Sequence, residues 1–154
     1  MKKLPLLTLL FAFITSFTAL GQSFPKNIKL GSLKNSWTKN ELMEPAVLAS
    51  ILKNPKASKP LIFNIGVVDD IKGAKNMGAA SEKENLFRFK QMLSKLPENT
   101  SMVIYCGCCP FDRCPNIRPA FDALKEGGFK KGLLLNLPTN IKTDWISKGY
   151  PLAK

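Results

Sequence analysis

Histidine is absent from the chain of 154 residues. Hydrolases built on a Ser-His-Asp triad, zinc sites with imidazole ligands and haem attachment through C-x-x-C-H are therefore excluded. Acidic residues are scarce as well: 11 Asp and Glu stand against 23 Lys and Arg, for a net charge of +12. Such an excess invites a polyanionic partner, yet Lys29, Lys39, Lys53, Lys59 and Lys130 are scattered, without aromatic interleaving or a nucleic-acid module. They read as solvated surface, and no nucleic acid is expected as a partner. Tryptophan occurs only as Trp37 and Trp145, which fit packing better than a ligand cage. What remains is ordinary for one packed domain: a hydrophobic content of 45%, 10 Gly and 11 Pro speak against disorder and collagen-like classes. The four cysteines are the departure.

Lys2 and Lys3, the apolar run Leu4 to Phe17, and Thr18-Ala19-Leu20-Gly21 have the three-part shape of a secretory signal peptide cut after about Gly21. An uncleaved anchor is the alternative, since the run almost spans a bilayer. The expected organisation is a leader at 1–21, an extended arm at 22–36 and one domain at 37–154. Removing Lys2 and Lys3 from +12 leaves +10, so the basic excess belongs to the folded protein. An exported, periplasmic or secreted chain, with no stable membrane insertion once the leader is gone, is free to oxidise its thiols.

Glu44-Pro45 followed by Val47, Leu48, Ile51 and Leu52 predicts a short amphipathic helix with proline in its first turn. Leu61–Ile65, Met102–Tyr105 and Leu133–Leu137 are compact apolar runs suited to buried parallel strands. A brief strand is expected near Met77–Ala80. Helices are expected over Asn85–Leu96, over Arg118–Glu126 closed by Gly127-Gly128, and around Ile141–Lys148. Strands alternating with helices imply crossovers, hence an α/β domain with a central, mainly parallel sheet flanked by helices on both faces. Ligands of such sheets sit beyond the carboxyl ends of the strands.

All four cysteines fall at such an end, in Cys106-Gly107-Cys108-Cys109-Pro110-Phe111-Asp112-Arg113-Cys114. A thiol there, facing loop amides near a helix N-terminus, would have its thiolate stabilised. Arg113 and Arg118 offer guanidinium forks to an anionic substrate and would lower the thiol pKa further. Three chemistries compete: a catalytic Cys106 with the other cysteines paired or assisting, a structural disulfide knot, and a thiolate metal or cluster site. The spacing C-x-C-C-x4-C lacks the separated C-x2-C knuckles of a zinc ribbon, which puts metal last, and none is expected. Cys114 with Cys108 or Cys109 is the favoured disulfide, because adjacent Cys108 and Cys109 are hard to bridge to each other.

From about Glu41 to Leu152 the chain resembles the rhodanese superfamily. The resemblance is carried by Leu61–Ile65, the Gly73–Ala79 stretch, Val103-Ile104-Tyr105-Cys106, the helix ending Leu124-Lys125-Glu126-Gly127-Gly128-Phe129, and the tail Trp145-Ile146-Ser147-Lys148-Gly149-Tyr150-Pro151. It implies a small parallel α/β domain whose first cysteine after the strand, Cys106, takes up a sulfane sulfur as a persulfide. It also implies loop contacts to substrate from Gly107, Cys108, Arg113 and Arg118, a small anionic sulfur donor, a thiol acceptor and no cofactor. Two departures stand out. The segment from Cys106 to Arg118 is longer than the family's loop and holds three additional cysteines. Asn64-Ile65-Gly66 replaces the Asp and Arg that often follow the early buried strand. A thiol–disulfide oxidoreductase cycling Cys106 with Cys108 or Cys109 is the second functional reading. A non-catalytic module with a disulfide-braced loop is the third.

Overall fold

The computed structural model describes residue 35 and residues 37–154, so the leader and all but one residue of the arm lie outside the described residues. Five strands form one sheet: β1 (Leu42–Met43), β2 (Leu61–Asn64), β3 (Ala74–Asn76), β4 (Met102–Tyr105) and β5 (Gly132–Leu135), in the order β1-β5-β4-β2-β3. Every pairing is parallel. The crossovers carry α1 (Pro45–Lys53), α2 (Lys83–Leu93) and α3 (Ile117–Glu126), and the short α4 (Ile141–Asp144) follows the last strand. Among the described residues no helix is long and apolar enough to cross a membrane.

Because strand side chains alternate, the central strand β4 feeds two cores. Met102 and Ile104 pack with Phe63, Phe89 of α2, and Ala120, Phe121 and Leu124 of α3. Val103 and Tyr105 pack on the other face with Leu48 and Leu52 of α1, Leu135, Ile141 and Trp145. All four residues of β4 are buried, which is why it reads as an unbroken apolar run. The same parity carries one step past the strand: Cys106 joins the α2 and α3 core.

The structure corrects several sequence boundaries. The brief strand lies at Ala74–Asn76 rather than Met77–Ala80, bracketed by Gly73 and Gly78 at φ +80° and +77°. Met77 and Ala80 are instead buried core residues of the loop that follows. The second helix starts at Lys83 and ends at Leu93. The last expected helix breaks at Trp145 (φ −128°, ψ −61°) into α4 and a 3-10 turn, Ile146–Lys148. There the indole is fully buried and donates from Nε1 to the Pro151 carbonyl at 3.1 Å, which the continuing helix would not allow. Strand β1 carried no sequence signal, being two residues long and defined only by pairing Leu42 with Leu134 and Met43 with Leu135.

At its carboxyl end β4 is fixed from two sides. The Tyr105 hydroxyl donates to the Asp69 carbonyl at 3.2 Å and accepts from the Ile71 amide at 2.9 Å, pinning the turn after β2. Burial holds its phenol well above the usual tyrosine range. Asn64, fully buried where the resemblance leads one to expect an acid, donates to the Val68 carbonyl and Asp70 Oδ1, both at 2.8 Å, and accepts from the Gly66 amide at 3.0 Å. An uncharged amide thus satisfies a turn that an ion pair would otherwise brace.

Candidate active site

Cys106 lies immediately beyond β4, fully buried, with Cys114 almost equally so and Cys108 exposed. Gly107 makes the turn out of the strand. Its φ of +75° is in the left-handed region, and a Cβ there would stand 2.7 Å from Ile141 Cβ. The Gly107 carbonyl accepts from the Ile141 amide at 2.9 Å, tying the loop to α4. The chain then doubles back through a 3-10 turn, Phe111–Arg113, and enters α3. This return brings the sulfurs together: Cys106 to Cys108 at 3.2 Å, Cys108 to Cys109 at 3.3 Å and Cys108 to Cys114 at 3.7 Å. All four cysteines are unbridged, and of the two partners favoured for Cys114, Cys108 and Cys109, the Cys108 sulfur lies in contact at 3.7 Å, beyond bonding distance.

Asn116 is the residue that sequence reasoning missed. It occupies the N-cap position of α3, where an asparagine ordinarily accepts from its own helix, yet it makes no such bond. Its buried side chain spans two segments instead: Nδ2 donates to Cys106 Sγ at 3.2 Å and Oδ1 accepts from the Ser81 amide at 2.9 Å. The one sequence signal it offers is a polar residue just ahead of a helix, which points to a cap and not to a thiol partner. Gly66 was missed too. A Cβ at that position would lie 2.5 Å from Cys106 Sγ, so the backbone after β2 forms the wall against which the sulfur rests.

These donors make Cys106 acidic. Its pKa is lowered to about 5, first by the hydrogen bond from the Cys114 thiol and then, against the opposing effect of burial, by Asn116 and by the amide and thiol of Cys108. The partner thiols move the other way: Cys108 is pushed up to about 12, chiefly by desolvation, and Cys114 far above the ordinary thiol range, chiefly by its bond to Cys106. One proton is withheld so that two can be held. At neutral pH Cys106 is a thiolate held by the Cys108 and Cys114 thiols, the Cys108 amide and the Asn116 carboxamide.

The arginines sit elsewhere. Arg113 is exposed on the 3-10 turn. Arg118 stacks its guanidinium 5.3 Å from the Trp37 ring and donates to the Asp112 carbonyl at 3.2 Å and Asn35 Oδ1 at 3.3 Å. The expectation that arginine depresses the Cys106 pKa is thus corrected, for the causes are thiols, Asn116 and a backbone amide. Arg118 instead braces the outer side of the cysteine loop.

No family model matches the sequence, and no curated protein is similar to it. Its three-dimensional structure is similar to the crystal structure of a single-domain sulfurtransferase of Saccharomyces cerevisiae, at 15% identity and a TM-score of 0.50, covering 73% of this chain and 95% of that one. With its parallel strand order β1-β5-β4-β2-β3 and a cysteine at the end of the central strand, the chain shares the α/β fold of that single-domain sulfurtransferase.

Proposed function

We propose that the protein is a rhodanese-type sulfurtransferase that works through a Cys106 persulfide. The observation that carries the proposal is the Cys106 thiolate, ionised at neutral pH without histidine and seated at the carboxyl end of the central parallel strand. In the first half-reaction the thiolate attacks the sulfane sulfur of an anionic donor such as thiosulfate. The sulfur–sulfur bond of the donor breaks, sulfite departs with its electron pair, and Cys106 carries a persulfide anion. In the second, the persulfide takes a proton from the incoming acceptor thiol, whose thiolate attacks the outer sulfur; the acceptor leaves as its own persulfide, S–SH, and the Cys106 thiolate is restored. The Cys108 amide and Asn116 offer hydrogen bonds to the negative sulfur in both steps. Because Cys106 is buried beneath exposed Cys108, the donor reaches it when the Cys108 side chain swings outward. Arg113, exposed on the 3-10 turn of the same loop, is the candidate to attract the anion, and the signal-peptide shape of residues 1–21 supports a reaction outside the cytoplasm.

The test is peptide-level mass spectrometry of the protein alkylated without reductant, before and after thiosulfate. One added sulfur atom on the Cys106 peptide, absent in Cys106→Ser, is the expected result. The 3.2 Å separation of the Cys106 and Cys108 sulfurs favours a second reading, thiol–disulfide exchange. A Cys106–Cys108 disulfide that ignores thiosulfate and opens to a dithiol would replace the first reading with it.

A further inference from the structure

The spacing argument that set metal aside considers the chain in one dimension, and the fold changes its premise. Cys106, Cys108 and Cys114 place their sulfurs all within 4.8 Å of one another, two of the separations being 3.2 and 3.7 Å. We propose that these three cysteines form a trigonal site for one thiophilic ion, monovalent copper. The site shares Cys106 with the sulfur-transfer reading but does not require it.

Three features argue for it. A metal bound to three thiolates at about 2.3 Å holds its sulfurs roughly 4.0 Å apart when trigonal, so the observed triangle closes on an ion with small side-chain movements. The donor set is all sulfur, and soft thiolates with no oxygen or imidazole among them select copper(I) over hard cations. The number of donors is three. Cys109 touches Cys108 at 3.3 Å but falls outside the mutually close group, which leaves zinc short of its usual fourth protein ligand.

The surroundings fit a metal site as well. Asn116 Nδ2 already donates to Cys106 Sγ, the kind of outer hydrogen bond that orients a ligand. The cluster adjoins the N-terminus of the ten-residue α3, whose dipole favours the negative charge of a copper trithiolate. Buried Cys106 and Cys114 exclude water from two corners, while exposed Cys108 gives the ion a route in. Binding replaces the remaining thiol protons, which pass to solvent, and changes no oxidation state. A Cys106 thiolate bound to copper is a weaker nucleophile and is shielded by the other two sulfurs, so the ion and a sulfur donor compete for it.

The experiment is an anaerobic titration of the reduced full chain with copper(I) supplied as its bicinchoninate complex, with X-ray absorption on the product. One copper per chain and three sulfur neighbours are expected. Cys108→Ser, a substitution at an exposed side chain, should weaken affinity at least tenfold with an unchanged circular dichroism spectrum. Cys114→Ser should do the same if it folds, and Cys109→Ser should match the wild type. Failure to draw copper from the chelator, two-sulfur linear coordination, an equal loss in Cys109→Ser, or preferential uptake of zinc with a fourth ligand would each overturn the proposal. Persulfide formation is measured on the metal-free protein, so its failure would leave the copper result standing.

Discussion

Replacing Asn116 separates the acidity of Cys106 from its mere position. Its carboxamide makes one hydrogen bond to the sulfur at 3.2 Å and one to the Ser81 amide at 2.9 Å. A hydrogen bond to a charged group contributes about 1.5–3 kcal/mol, and each pKa unit corresponds to about 1.4 kcal/mol. Loss of the bond to the thiolate in Asn116→Ala therefore raises the Cys106 pKa by roughly 1–2 units from its value of about 5. Asn116→Asp is the sharper variant. It keeps an oxygen for the Ser81 amide while setting a carboxylate against the thiolate, so the rise should be at least as large. The assay is the pH dependence of iodoacetamide alkylation at Cys106, read on its peptide by mass spectrometry. The wild type should be half-maximal near pH 5, and both variants distinctly higher. An alkylation profile that stays in place in Asn116→Asp, in a protein that still folds, refutes the account of how this thiolate is made.

Gly66→Ala should lower Cys106 reactivity and destabilise the fold by about 1–3 kcal/mol through overpacking, since its Cβ would stand 2.5 Å from the sulfur; thermal unfolding and alkylation rate check the two effects. Tyr105→Phe leaves the buried Ile71 amide without its acceptor, a loss of about 1–3 kcal/mol measurable by urea denaturation, with the Cys106 profile unmoved. Stability should also depend on pH in a defined direction. The Cys106 pKa is lower in the folded chain than in the unfolded one, so its contribution is present above the ordinary thiol value of 9.0 and lost as pH falls toward about 5. The raised Cys108 and Cys114 values contribute oppositely, stabilising below 9.0 and losing that effect at higher pH, for Cys108 as pH climbs toward 12. The stability difference between wild type and Cys106→Ser should therefore grow from pH 5 to 9 by at most about 1.4 kcal/mol per pH unit, and denaturant titrations giving a flat or falling difference would contradict it.

The parts of this molecule that were legible in the sequence are those whose cause is local. Strands β2, β4 and β5 announced themselves because burial on both faces demands unbroken apolar runs. Helices α2 and α3 did so through one-sided spacing, with Phe89 and Leu93 or Phe121 and Leu124 turned inward. Strands β1 and β3, at the sheet edges, are two and three residues long, and pairing rather than composition defines them. The cysteine loop was visible as a cluster, but its chemistry was not. Asn116 acts on Cys106 while holding a loop 35 residues earlier in the chain, and no spacing rule connects those positions. Arginine was the natural suspect for a depressed thiol, but Arg118 had a nearer partner in Trp37.

That last contact bears on where the domain can be cut. Trp37 precedes every strand, yet its ring packs 5.7 Å from Phe111 and 6.0 Å from Phe121, with the Arg118 guanidinium across it. Phe111 opens the 3-10 turn of the cysteine loop, and Arg118 holds that turn by the Asp112 carbonyl. A recombinant fragment begun at Leu42, the first residue of the sheet, would keep all five strands and still lose the indole on which the outer half of the reactive loop is seated. Such a fragment would have the topology of the domain and a slack cysteine loop, and its silence in a sulfur-transfer screen would be an artefact of the chosen start codon.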